Sequence, residues 1–206
     1  MRIRTFIPNR LLSTLKEVET RVQIRQWERA GMPLPPVHAV KRMAIREAQE
    51  KNGARTLIET GTYTGEMVFV QLRHFDEIAS IELADYYYER AVRRFRRYPK
   101  VHLYHGDSAV MLHEVVRHVN GPAVFWLDGH YSGGLTAKGT TECPLFGELD
   151  AILPARWPHI LLIDDAHCFV GANDYPTLHE LREYLGHRGI KHTFFVKDNI
   201  IHIELQ

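Results

Sequence analysis

From Thr56 onward, short apolar runs alternate with longer stretches of helical periodicity. The runs at Thr56 to Glu59, Ile78 to Glu82, Val101 to His105, Ala123 to Asp128 and Ile160 to Asp164 are too short for helices and largely unbroken by polar residues. That pattern suits strands buried on both faces of a parallel sheet. The helical segments between them imply right-handed crossovers with helices on both faces. The ending differs: Lys191 to Lys197 and Ile200 to Leu205 are two β-rich runs meeting at Asp198-Asn199, which predicts a tight hairpin. The chain is therefore expected to be α/β, a doubly wound, mostly parallel, seven-stranded Rossmann-like sheet closed by a C-terminal antiparallel hairpin. Ahead of it, a helix from about Arg10 to Ala30, a break at Pro33, Pro35 and Pro36, and a second helix to about Lys51 predict an N-terminal helical segment over 1–51, with the α/β domain over 52–206.

Composition narrows the function classes. A chain of 206 residues is long enough for one well-buried core. Its 26 Lys and Arg nearly balance 25 Asp and Glu, so no global charge points to nucleic acid or a membrane surface. The dense basic run Arg93-Arg94-Phe95-Arg96-Arg97 would spread around a helix, and no aromatic stacking module accompanies it. Two cysteines, Cys143 and Cys168, make neither a disulfide framework nor a metal knuckle. No apolar run approaches the length of a membrane span. The first sixteen residues are basic but lack the apolar core of a signal peptide. A cytoplasmic protein with no nucleic-acid or membrane partner is expected, and a homodimer stays open.

The segment Thr56-Leu57-Ile58-Glu59-Thr60-Gly61-Thr62-Tyr63-Thr64-Gly65-Glu66 carries the most information. An apolar strand ends in an acid and turns through two glycines into a helix, so a ligand can approach the backbone and the first amides of the helix. Gly61 is accordingly expected to keep space clear for that ligand. A dinucleotide fingerprint would need glycines where Tyr63 and Glu66 stand, and a P-loop is excluded as well. The run E-x-G-x-Y-x-G resembles the first motif of class I S-adenosylmethionine-dependent methyltransferases, in the catechol and caffeoyl-CoA O-methyltransferase branch where Tyr or Phe replaces the central glycine. The resemblance spans most of Thr56 to Leu205 and implies S-adenosylmethionine as cofactor, held around Glu59, Gly61, Thr62, Tyr63 and Gly65. Glu82 follows Glu59 by 23 residues (82 − 59), near the roughly 20 expected of an acid that binds ribose hydroxyls; alternatively it caps the next helix. Asp107 or Ser108, after the third strand, is placed by the resemblance at the adenine edge, with Asp107 equally able to serve as an N-cap. Tyr86, Tyr87 and Tyr88 are candidates to cover the adenine or to pack within a helix.

Asp128 and His130 lie at the carboxyl end of the fourth strand, and Asp164, Asp165 and His167 at the end of the fifth, the edge where open α/β sheets keep their ligands. Catechol-type enzymes hold a divalent ion there, which carries the ligand role to Asp128, Asp164 and Asp165. Oxygen ligands of this kind suit Mg²⁺, which would assist deprotonation of a substrate hydroxyl; otherwise Asp128 orients the cofactor and the Asp pair caps a helix. The branch also has a lysine soon after the fourth-strand Asp, and none occurs here before Lys138. His130 is therefore the candidate general base, with His167 its rival. O-methylation of a small hydroxylated metabolite is the expected activity, the connection from Gly129 to Thr141 being a candidate lid. The alternatives are a silent S-adenosylmethionine-binding module and a nicotinamide-dependent oxidoreductase.

Overall fold

The computed structural model describes residues 9–129 and 143–206, with side chains from residue 18 onward. Seven strands form one sheet in the order β3-β2-β1-β4-β5-β7-β6. Strands β1 (Thr56–Thr60), β2 (Glu77–Glu82), β3 (Val101–His105), β4 (Ala123–Leu127) and β5 (Ile160–Ile163) are parallel, while β6 (His192–Lys197) and β7 (Ile200–Leu205) form the antiparallel hairpin. A nicotinamide fold would continue with a further parallel strand. Here β7 runs antiparallel against β5.

Alternation along the strands divides the core into two layers. Ile58, Phe125, Leu127, Leu161 and Ile163 pack on one face with Leu145, Leu149, Leu181 and Leu185, which belong to α6 (Leu145–Ile152) and α7 (Leu178–His187). Leu57, Val124, Trp126, Ile160 and Leu162 point to the other face. There they meet α2 (His38–Asn52), α3 (Glu66–Gln71) and α4 (Asp85–Phe95) through Ala44, Ile45, Met67, Val68, Ala91 and Phe95. Thus α2, which lies in the expected N-terminal helical segment, shares a core with residues of the α/β domain. It follows α1 (Asn9–Arg29), whose Trp27 Nε1 donates to the Pro33 carbonyl at 2.8 Å. The remaining helix, α5 (Ser108–Val115), packs beside α6, where Gly147 lets the Ala109 methyl come close.

The hairpin turn has the predicted chemistry. Asp198 and Asn199 both take positive φ, 55° and 63°, as a turn matching the right-handed twist of its strands requires. No helix among the described residues is long and apolar enough to cross a membrane.

Candidate active site

The cofactor-side residues gather at the ends of β1 and β2. Gly61 (φ 83°) and Thr62 both donate their amides to the Ile81 carbonyl, at 2.9 and 3.2 Å, and Gly65 (φ 74°) opens α3. Glu82 closes the turn: one carboxylate oxygen accepts the Tyr63 amide at 2.7 Å and the other the Ala84 amide at 2.8 Å. Glu82 thus ties the residue ahead of α4 to the glycine turn. Tyr63 is half exposed, and its ring packs 4.6 Å from that of Tyr87.

Two of these residues also serve the protein's own packing. Glu59 lies beneath the turn rather than on it, 1% exposed, accepting from the Ser80 hydroxyl at 2.5 Å, while Ser80 also meets the Thr62 hydroxyl at 2.6 Å. Burial pushes the Glu59 carboxyl up to about 8, with Ser80 opposing the shift and the Glu82 charge adding to it. Gly61 accommodates a protein contact: a Cβ there would stand 2.5 Å from the Asp128 carbonyl oxygen. Its smallness lets the β1 turn meet the β4 turn. At the end of β3, Asp107 caps α5 by accepting the Ala109 amide at 2.9 Å, and Ser108 follows it, buried.

Around β4 and β5 the structure adds a residue that the motifs omit. Asp164, 0% exposed, accepts the Asp165 amide on Oδ1 at 2.8 Å and the ammonium of Lys41 on Oδ2. Burial works against the charge on Lys41, but Asp164, Asp128 and Asp165 outweigh it and raise its pKa. Burial pushes the Asp164 carboxyl up and the ammonium pulls it back; with a donor on each oxygen, the ionised form is the one whose lone pairs are used. Asp128, its amide donating to the Thr60 carbonyl at 3.2 Å, has its carboxyl pushed well above the ordinary range by desolvation and then by Asp164, with Lys41 opposing.

Asp165 also meets the hairpin. It adopts φ 53°, and its Oδ1 accepts from Asn199 Nδ2 at 3.4 Å. Asn199 Oδ1 accepts the His167 amide at 2.9 Å and lies 3.1 Å from His167 Nδ1. Because a backbone N–H fixes that amide oxygen as the acceptor, Nδ1 carries the ring proton and Nε2 is left with a lone pair. Among the described residues no three His, Cys, Asp or Glu side chains assemble as a metal-ligating group. The expected set of Asp128, Asp164 and Asp165 does not fit a divalent ion as it stands, since Lys41 already occupies Asp164 and Asp165 points to the hairpin. His130 lies outside the described residues, as does nearly all of the glycine-rich connection after Gly129.

Sequence reasoning missed three residues. Lys41 carried no signal, being one lysine in a helix ahead of the motifs. Asn199 was legible only as a turn residue. Glu148 did leave a signal: it is an acid within the apolar stripe Leu145, Leu149 and Ile152. Fully buried, it has no hydrogen-bond partner on either carboxylate oxygen among the described residues; the Ser108 and Thr60 hydroxyls lie alongside without reaching bonding geometry. Burial pushes its carboxyl up to about 7, those hydroxyls opposing the shift and Asp107 adding to it.

No protein-family model and no curated protein matches the sequence. Solved structures do match in three dimensions. A Staphylococcus aureus structure assigned as a caffeoyl-CoA O-methyltransferase is 13% identical, with 96% of this chain and 98% of that one covered at a TM-score of 0.57. An O-methyltransferase from Bacillus cereus in complex with S-adenosylhomocysteine is also 13% identical, covering 91% and 90% at 0.55. TomG from Streptomyces achromogenes, an O-methyltransferase involved in tomaymycin synthesis and solved with S-adenosylmethionine, is 16% identical, covering 90% and 88% at 0.55. Together with the strand order, these similarities make the fold that of the class I S-adenosylmethionine-dependent methyltransferases.

Proposed function

We propose that the protein transfers a methyl group from S-adenosylmethionine to a hydroxyl of a small molecule, with the cofactor across the ends of β1, β2 and β3 and the acceptor at the ends of β4 and β5. Glu82 carries this reading. Its carboxylate holds the Tyr63 amide on one side and the Ala84 amide on the other, and each oxygen keeps a lone pair for a ribose hydroxyl. Positive φ at Gly61, Tyr63 and Gly65 brings backbone amides to the start of α3, which suits the amino-acid end of such a cofactor.

When bound, S-adenosylmethionine supplies an electrophilic methyl on a sulfonium. A bond forms from the acceptor oxygen to that methyl, the carbon–sulfur bond breaks, and the hydroxyl proton leaves to a base. His167 is suited to take the proton on Nε2, because Asn199 holds Nδ1 as the donor. Lys41 and Asp128 form the polar wall facing the acceptor. Support for oxygen as the acceptor atom comes from the O-methyltransferases of this fold noted above.

The test is to incubate the protein with S-adenosylmethionine and a panel of phenols, sugars and hydroxy acids, following S-adenosylhomocysteine release. At least one acceptor should give turnover that drops by about 10²-fold in His167→Gln. Binding of S-adenosylhomocysteine with no turnover on any acceptor would instead favour a silent cofactor-binding module.

A further inference from the structure

The acid cluster at the ends of β4 and β5 already contains a cation. We propose that Lys41 is the resident cation of the reaction edge: it takes the place given to a divalent ion in catechol-type enzymes and holds the oxygen that accepts the methyl group. This rests on the proposed function and adds the group that contacts the acceptor.

Three observations converge on it. Asp164 is completely buried and both of its oxygens are used, Oδ1 by the Asp165 amide and Oδ2 by the ammonium. A divalent ion on that carboxylate would have to displace Lys41 or sit within a few ångströms of its positive charge. Lys41 is also fixed in place, because its neighbours Val40, Ala44 and Ile45 are buried beneath α2. Its side chain nevertheless remains 16% exposed. Finally, an ammonium has three N–H donors and Asp164 takes one, so among the described residues two are left for an acceptor oxygen as its proton departs. Asp128 and Asp165 lie close enough to act electrostatically on the ammonium, which keeps positive charge at this edge without an exchangeable ion.

Mn²⁺ titration of the full chain, followed by electron paramagnetic resonance with and without S-adenosylhomocysteine, tests the proposal. The wild type should take up no Mn²⁺ at millimolar concentrations. Lys41→Met, which keeps the stem but removes the charge, should acquire one site at least about tenfold tighter than any in the wild type, and Lys41→Met/Asp164→Asn should lose it. Lys41→Arg should behave like the wild type. A wild-type Mn²⁺ site that disappears in Asp164→Asn overturns the proposal, and so does a folded Lys41→Met that gains none. Should Lys41→Met fail to fold, the wild type and Asp164→Asn decide the matter. Calorimetry with S-adenosylhomocysteine separates the two ideas, because a wild type that binds none defeats the proposed function, whereas Mn²⁺ uptake beside intact cofactor binding defeats only the role of Lys41.

Discussion

At the β1–β2 end of the sheet, Glu82 joins the glycine turn to α4 through amides 19 and 2 residues away, whereas at the β4–β5 end Asp164 is completed by Lys41 from 123 residues earlier. The first arrangement is local. Strand, turn and helix follow one another in the chain, and their backbone amides meet a carboxylate on the adjacent strand. The second arrangement exists only once the fold has closed, because α2 must pack on the sheet and the hairpin must return before Lys41 and Asn199 arrive. The first end can therefore be written as a motif, while the second is assembled from parts with no fixed spacing.

Breaking the joint between the two halves should have the largest effect. Gly61→Val places a β-branched side chain at φ 83° and against the Asp128 carbonyl, which should cost about 4 kcal/mol or more of stability. Thermal denaturation checks it, and an unchanged melting temperature would show that the two turns do not need their close approach. Next comes the reaction half alone. Lys41→Met strands the buried Asp164 charge and should destabilise by about 3 kcal/mol, most of it recovered in Lys41→Met/Asp164→Asn; additive losses in the double-mutant cycle would deny the pair.

Glu148, under the seam, gives a prediction with a pH sign. Its folded pKa of about 7 exceeds its ordinary value of 4.5, so the folded state keeps a proton that the unfolded chain releases. The associated stability is fully present below pH 4.5 and is lost as pH rises through 7. Glu148→Gln cannot ionise, and it should gain on the wild type by about 2 to 3 kcal/mol at pH 8 and by little at pH 4.5. Equal melting-temperature differences at both values would contradict this. The smallest effect belongs to the hairpin. Asn199→Gly keeps the positive φ but drops the contacts to Asp165 and His167, costing about 1 kcal/mol. Turnover should fall as His167 loses its fixed tautomer, and turnover identical to wild type would leave the ring without a positioning partner.

The sequence was legible where burial or turn chemistry repeats at short range. Continuous apolar runs located all five parallel strands to within a residue, and Asp198-Asn199 located the hairpin, because each signal depends only on neighbours in the chain. Pattern could not assign function within the cluster. Glu59 and Glu82 both read as acids at strand ends, yet one is buried beneath the turn and the other bridges it. Gly61 gave no sign of the Asp128 contact it accommodates, because Asp128 is 67 residues away (128 − 61). The helix carrying Lys41 was grouped with the N-terminal segment over 1–51, because nothing in its own residues says where it packs.

The central claim, that the glycine turn and Glu82 form the cofactor half independently of any metal, is tested most directly by calorimetric titration of S-adenosylhomocysteine in excess chelator, using the wild type and Glu82→Ala. The account predicts one saturable site in the wild type, unaffected by the chelator and weakened at least about tenfold in the variant, since hydrogen bonds to a charged carboxylate contribute about 1.5 to 3 kcal/mol each. No binding heat in the wild type, or equal affinity in a folded Glu82→Ala, would contradict it.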